Sequence, residues 1–232
     1  MAANISQLKT LAKSRIARFV YDSLCGGYNK DLAVSNNRRA LDSTYFQPTY
    51  LTTAEKADTS VEILDQTYSS QFGVAPLGLS GLIWLGASTF QAKMAKCANQ
   101  PFILSRVTSI SIEQAATSGE DRFWFQFCPP TDKDMLDAAL PPVRRLPYIR
   151  ERLGDQWPVI ADSGVESSVD LTKSLAQGVN IVFAGGAFMY GVGALGKAKA
   201  RHVFDILQTD RLQVLGQFHC PHPNLLKNFR IE

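Results

Sequence analysis

Short apolar or β-branched runs alternate with amphipathic stretches along this chain, and the alternation predicts strands and helices in turn. Phe72–Ala75 (FGVA), Phe102–Ser105 (FILS), Phe123–Phe127 (FWFQF), Pro158–Ala161 (PVIA) and Val179–Ala184 (VNIVFA) read as buried strands. Helical spacing falls between them, at Gly86–Ala98 with Phe90 and Met94 inward, and at Ile112–Ala116 with Ser111 as N-cap. It also falls at Leu146–Leu153, at Ser167–Leu175 closed by Gly178, and at His202–Leu215. Asp132–Ala139 starts another helix, which Pro141-Pro142 breaks. Before the first buried strand, residues 6–24 predict one amphipathic helix ending at Gly26-Gly27, with Leu8, Leu11, Ile16 and Phe19 on one side. A short helix at Asn36–Leu41 and an extended Phe46–Leu51 come next. Ser60–Leu64 and Tyr68–Ser70 then predict a hairpin around Asp65-Gln66.

Strands separated by helices imply a parallel sheet with crossover helices. A closed (β/α)8 barrel needs eight strands and typically about 250 residues. Only about five strand signals are present by this pattern reading. No internal repeat interrupts the alternation.

The segment from Trp157 to Gly196 carries most of the chemistry. It reads as strand, helix, strand and a glycine-rich turn. Asp162 and Gly164 follow the first of these strands, and Gly185-Gly186 the second. In barrels, the loops after the last two strands commonly bind a phosphate on backbone N–H groups and a helix N-terminus. Gly pairs after a strand also mark simple turns, so both readings of Gly185-Gly186 stand. Asp162 either serves a ligand at the strand's C-terminal end or caps local backbone. Gln126, inside an aromatic run, needs hydrogen-bond partners that either a ligand edge or backbone supplies. Trp84, Trp124 and Trp157 read as core or rim packing.

Composition narrows the class without naming an activity. The 232 residues are 45% hydrophobic and 19% charged, as in ordinary globular domains. A net charge of +3 is too slight to argue for nucleic acid or a membrane surface. There is no long uncharged apolar stretch of transmembrane type. Lys9, Lys13, Arg15 and Arg18 precede the first acid, Asp22, which fits either a transit peptide or the amphipathic helix. Cys25, Cys97, Cys128 and Cys220 form no CxxC and suggest reduced thiols in a cytoplasmic setting. His219-Cys220-Pro221-His222 lacks a second ligand pair, so it reads as a polar loop and no metal site is expected.

Taken in order, FVYDSLCGGYNKDLAVSNNRRALD, FQPTYL, DTSVEIL, FGVAPLGLSGLIWLGA, ILSRVTSISIEQ, FWFQF and the Trp157–Gly196 segment resemble the FMN-dependent 2-hydroxy acid oxidase and dehydrogenase family (glycolate oxidase, lactate oxidase and dehydrogenase, mandelate dehydrogenase). The resemblance implies N-terminal helices and a hairpin (1–71), the first barrel units (72–139) and the last barrel units with a C-terminal helix (140–232), all in one domain. It implies FMN as cofactor and a small 2-hydroxy acid, of lactate or glycolate type, as substrate. Ala75, Pro76, Leu77, Gly78, Ser105, Gln126, Asp162, Gly164, Gly185 and Gly186 match the family's flavin-contacting positions.

The sequence departs from the family between FQFCPPTDKDM and LDAALPPVRRLPYIRERLGD, where about three central βα units have no counterpart. The fold class is therefore α/β, an incomplete (β/α)8 barrel. The family's catalytic histidine, its neighbouring arginine and its flavin-binding lysine fall in that gap, so no residue here is assigned a catalytic role. Only the tail of the histidine motif, Leu136-Asp137, remains. Ser23 stands at the family's substrate-binding tyrosine, Glu166 and Gly186 at two phosphate-binding arginines, and Arg106 at a small polar position. Impaired catalysis, or a non-catalytic remnant that only binds, follows from these losses. A barrel short of three strands has two unpaired edges and must close differently or pair with another chain, as a homo-oligomer would.

Overall fold

A computed structural model describes residues 2–27, 31–47, 57–119, 123–126, 146–147, 150–151, 158–197 and 201–231. The chain enters through three helices, α1 (Ile5–Arg15), α2 (Arg18–Cys25) and α3 (Leu32–Asp42). The single helix expected over residues 6–24 is broken at Ile16–Ala17, both in extended backbone. No proline or glycine causes the break. Ile16 instead turns its side chain against Gly193, so packing overrides local helical preference. The buried stripe is Ile5, Leu8 and Ala12, while the expected Leu11 and Phe19 are exposed.

The hairpin forms from β2 (Val61–Ile63) and β3 (Gln66–Tyr68), after a two-residue strand β1 (Tyr45–Phe46). Its turn is Leu64-Asp65, one residue earlier than expected, and both residues lie in the left-handed region at φ 51° and 58°. That is the twist a two-residue hairpin loop demands, reached here without the usual glycine or asparagine.

Five parallel strands make the main sheet. They are β4 (Phe72–Val74), β5 (Phe102–Leu104), β6 (Phe123–Phe125), β7 (Ile160–Asp162) and β8 (Ile181–Ala184), and they correspond to the five apolar runs. Their order is β6-β5-β4-β8-β7. The first and last strands pair directly, Phe72 with Val182 and Val74 with Ala184, so the seam that closes a barrel is present. The sheet stops at β6 on one side and β7 on the other among the described residues.

Crossover helices α4 (Ala87–Cys97), α5 (Ile112–Gly119) and α6 (Ser168–Ala176), with α7 (Gly186–Leu195) and α8 (His202–Gln217) after the last strand, cover the outer face. Ser111 and Gln114 cap α5 reciprocally, as the sequence suggested for Ser111. Ser167 caps α6, and Gly178 beyond its end has φ 93°. The glycine-rich turn after β8 is instead the start of α7. This helix is apolar all round and nearly wholly buried under α1, so it lacks the polar face that marks helices in sequence. Of Leu146–Leu153, the described residues Leu146, Pro147, Arg150 and Glu151 are helical. Expectations for 48–51, 127–145 and Trp157, including Leu136-Asp137, Cys128 and the 139/140 junction, lie outside the described residues.

Side chains sort by parity. Phe72, Val74, Phe102, Leu104, Ala161, Val182 and Ala184 face the helices and join the large outer core. Ala75, Ile103, Trp124, Ile181 and Phe183 face the barrel axis. Ile63 and Val61 of the hairpin pack among them. Trp124 lies 5.4 Å from Phe183 and 6.2 Å from Tyr68, so it packs as the sequence implied. The FWFQF run is not buried, however, because Phe123, Trp124 and Gln126 are half-buried and Phe125 is 43% exposed. β6 is the sheet edge, with no described neighbour beyond it.

Candidate functional site at the strand ends

The same parity brings the expected site residues together. Ala75, Ser105, Gln126, Asp162 and Gly185 all fall on the axis-facing side at the C-terminal ends of β4, β5, β6, β7 and β8. Across the seam, the Ala75 N–H donates to Ala184 O at 3.0 Å. A Cβ at Gly185 would stand 3.5 Å from the Ala75 Cβ and 3.0 Å from Leu77 Cδ2, so the first and last loops lie in contact here.

On the other side of β4, the Ser105 hydroxyl donates to Gln126 Oε1 at 3.4 Å and accepts from the Val107 N–H at 3.3 Å. The Gln126 N–H donates to Leu104 O, which leaves its side-chain amide at the rim. Gly78 abuts Val107, so the Pro76–Gly78 loop lies against the β5 loop.

Asp162 sits where β7 ends. It keeps solvent access, yet the protein packed around it desolvates the carboxylate and raises its pKa; the Ser163 N–H, donating at 2.6 Å, opposes the rise. Ser163 and Gly164 both have positive φ, 96° and 75°. For a serine that conformation is strained, and sequence gave no sign of it beyond the Ser-Gly pair. Gly164 does not face the strand ends. Its Cα backs onto Asn37 and Leu41 of α3, so its role in the structure is to let that loop turn.

At the last strand, Gly185 precedes α7 and no side chain caps this ten-residue helix, nor does its first turn carry an acid. The free N–H groups and helix dipole offer an anion site. Gly186 opens the helix with the Tyr190 ring 3.5 Å from where its side chain would begin. Glu166, the apparent misfit here, is not a bare negative charge. Lys9 of α1 pairs with it at 2.8 Å, and the same ammonium lies 5.2 Å from the centre of the Tyr190 ring. Cys25 Sγ lies 3.4 Å from the Tyr190 hydroxyl; burial foremost, with this contact, pushes the tyrosine pKa far up. Lys9 is separated from Glu166 by 157 residues, and no sequence pattern links them.

The loop carrying Asp162 and Glu166 is pinned from behind. Arg38 of α3 grips Asp170 of α6 through two hydrogen bonds, 2.6 and 2.9 Å, and also holds Asp42. The Asp170 carboxylate also accepts from the Glu166 N–H, which completes the cap of α6.

The three histidines lie elsewhere. His202 bonds the Ala2 carbonyl at 2.6 Å. His219 and His222 follow α8 at the opposite end of the sheet, where Pro221 O accepts from the Asp58 N–H. Among the described residues no cluster of His, Cys, Asp or Glu could hold a metal ion. A cavity of about 630 Å³ lies outside the rim, between Leu79–Gly86 and the Ser109–Ser118 face, and none of the expected site residues lines it.

A family model described as FMN-dependent dehydrogenase matches residues 12–137 and 135–231. The chain belongs to the FMN-dependent dehydrogenase family, and its FMN cofactor assignment follows from that membership. The two matched pieces meet at 135–137, where the sequence reading places the missing units. (S)-Mandelate dehydrogenase of Pseudomonas putida is 30% identical over 123 residues, which cover 53% of this chain and 31% of the relative. L-Lactate dehydrogenase of Bartonella tribocorum is 36% identical over 75 residues, 32% of this chain and 20% of the relative. The matches thus span a third or less of these relatives' length.

Among solved structures, an oxidised active mutant of (S)-mandelate dehydrogenase superposes with a TM-score of 0.90 at 21% identity, covering 100% of this chain and 99% of that one. A mandelate oxidase with benzoyl-formic acid gives 0.88 at 18%, covering 98% and 97%. These likenesses establish the fold as an incomplete (β/α)8 barrel with N-terminal helices.

The residues present fit FMN in part. Ser105 and Gln126 offer polar atoms to a ring edge, and the uncapped start of α7 suits a phosphate.

Proposed function

We propose that this chain is a flavin-binding half-barrel of the 2-hydroxy acid dehydrogenase family whose turnover of lactate- or mandelate-type substrates is impaired. The observation that carries the binding half is the ring of axis-facing residues, Ala75, Ser105, Gln126, Asp162 and Gly185, at five successive strand ends. In this reading Ala75, Pro76, Leu77 and Gly78 flank the flavin ring, Ser105 and Gln126 bond its polar edge, and Asp162 takes a hydroxyl of the ribityl chain. Gly164 shapes the Asp162 loop from behind, and Gly185 and Gly186 present α7 N–H groups to the phosphate. When bound, FMN supplies the acceptor for the two electrons of alcohol oxidation.

In this reading the family's base for the substrate proton is absent with the missing central units. None of the chain's three histidines contacts a rim residue, and removing a general base costs roughly 10²–10⁴-fold in rate. The single domain keeps a small-molecule ligand and no nucleic-acid role. With no described strand beyond β6 or β7, a homo-oligomer that pairs those edges is part of the same proposal. No described helix is long and apolar enough to cross a membrane. A cytoplasmic location fits its scattered thiols, although one structural neighbour is described as membrane-associated.

Titrating FMN into the purified chain tests the reading. Flavin fluorescence should quench saturably, with no 2-keto acid formed from lactate, glycolate or mandelate. Fluorescence that stays that of free FMN removes the binding half, and measurable 2-keto acid removes the impairment.

A further inference from the structure

One cation joins the β7 loop to the first turn of α7. Lys9 of α1 donates to Glu166 at 2.8 Å, and its Nζ lies 5.2 Å from the centre of the Tyr190 ring. That ring lies 3.5 Å from where a side chain at Gly186 would begin. The Glu166 charge reaches the same place, since burial foremost, then Cys25 and the Glu166 carboxylate, push the Tyr190 pKa up. An ammonium has three donors, and Glu166 takes one of them. The Lys9 and Glu166 side chains keep 33% and 42% of their surface exposed, so each has room to turn. The other cations around these elements are committed. Arg38 holds Asp170 and Asp42, Lys173 donates to Leu41 O at 2.6 Å, and Arg15 bonds Ala194 O at the far end of α7.

We propose that Lys9 is a ligand of the flavin phosphate and that Glu166 competes with the phosphate for it. This rests on the FMN-binding reading above and names the residues that set its strength. The start of α7 offers donors and a partial positive charge, and Lys9 adds the full charge that a phosphate dianion needs. In the free chain Glu166 holds the ammonium at the β7 loop. With a phosphate on the α7 N–H groups, Lys9 turns from one carboxylate to the larger negative charge, and Glu166 swings toward solvent. Glu166 stays a nearby like charge, so it holds FMN affinity down. A flavin without a phosphate engages neither residue.

Fluorescence titrations with FMN and with riboflavin test this on the parent chain, Lys9→Met, Glu166→Gln and the double variant. Lys9→Met should weaken FMN about tenfold, in line with the loss of one charge-assisted hydrogen bond. Glu166→Gln should tighten FMN severalfold, and riboflavin affinity should stay constant throughout. The double variant should bind FMN more weakly than Glu166→Gln alone, which a lysine that merely neutralises Glu166 would not produce. Equal FMN affinity in those two variants overturns the inference and leaves the flavin reading standing, as does any loss that riboflavin shares. Glu166→Gln keeps the side chain's size, so unchanged FMN affinity there overturns the competition even if Lys9→Met does not fold. FMN binding by Glu166→Gln alone supports it. Failure of every form to bind either flavin overturns both readings together.

Discussion

At the β4–β8 seam the half-barrel is as tightly built as a closed one, whereas at β6 and β7 the described sheet stops. Phe183 on β8 has no exposed surface and sits between Trp124 and the Gly73 backbone. On the edges, Phe125 and Ile160 each keep 43% of their surface exposed. The residue types are alike, so the difference lies in neighbours. Strands beyond 125 and before 160 in barrel order would cover both side chains. The seam therefore holds the described sheet together, while β6 and β7 have no described strand beyond them.

Supplying those units should have the largest effect. Inserting the corresponding segment of the P. putida mandelate dehydrogenase between Met135 and Leu136 should close the sheet and restore the base. Mandelate turnover should rise by about 10²–10⁴-fold over the parent. A chimera that folds and binds FMN without that gain would show that the rim itself is altered.

Truncations compare seam and edge directly. Phe183→Ala should cost about 3–5 kcal/mol, the usual range for a buried aromatic. Phe125→Ala should cost under about 1 kcal/mol, as expected where little area is lost. Urea unfolding measures both, and similar costs would mean that the edge is covered. Ile160→Lys addresses the edge from the side of association. A charge on an unpaired strand blocks edge-to-edge pairing, so the sedimenting species should shift toward monomer. No shift would place any self-association elsewhere.

This contrast explains what could be read from the residues. The five strands were legible because buried parallel strands are continuous apolar runs. The place of the candidate residues at the strand ends was legible because each follows an apolar run that forms a strand. α7 was not, since a helix buried on all sides has no periodicity to read. The split between α1 and α2 depends on Ile16 meeting Gly193, and the Lys9–Glu166 pair depends on α1 lying near the β7 loop. Both are consequences of tertiary contact across more than 150 residues of chain, and neither leaves a local mark. The openness of FWFQF was hidden for the converse reason. Its apolar pattern suits a strand flanked on both sides.

Smaller effects probe the β7 edge at its loop. Ser163 is held at φ 96°, where a side chain crowds the backbone and glycine does not. Ser163→Gly should stabilise by roughly 1 kcal/mol, the cost of the left-handed region for an L-residue less glycine's greater unfolded-state freedom. An unchanged unfolding midpoint would mean that the turn relaxes in solution.

The smallest expected change is that of Asp162→Asn, and its sign is set by linkage. Burial raises the carboxyl pKa in the folded chain above its ordinary value of 3.8. Between those two values the folded state holds the proton more than the unfolded state does. Stability is therefore greatest below the ordinary value and declines as pH rises through the folded one, leaving a full penalty at neutral pH. Asparagine cannot ionise, so the variant should unfold at a slightly higher temperature at pH 7, and its midpoint should fall less than the parent's between acid and neutral pH. FMN affinity should drop in the same variant if Asp162 holds the ribityl chain. A parent and variant with parallel pH profiles would show that solvent at the open β7 edge reaches the carboxylate freely. In that case the unfinished side of the barrel would leave Asp162 as hydrated as a surface acid.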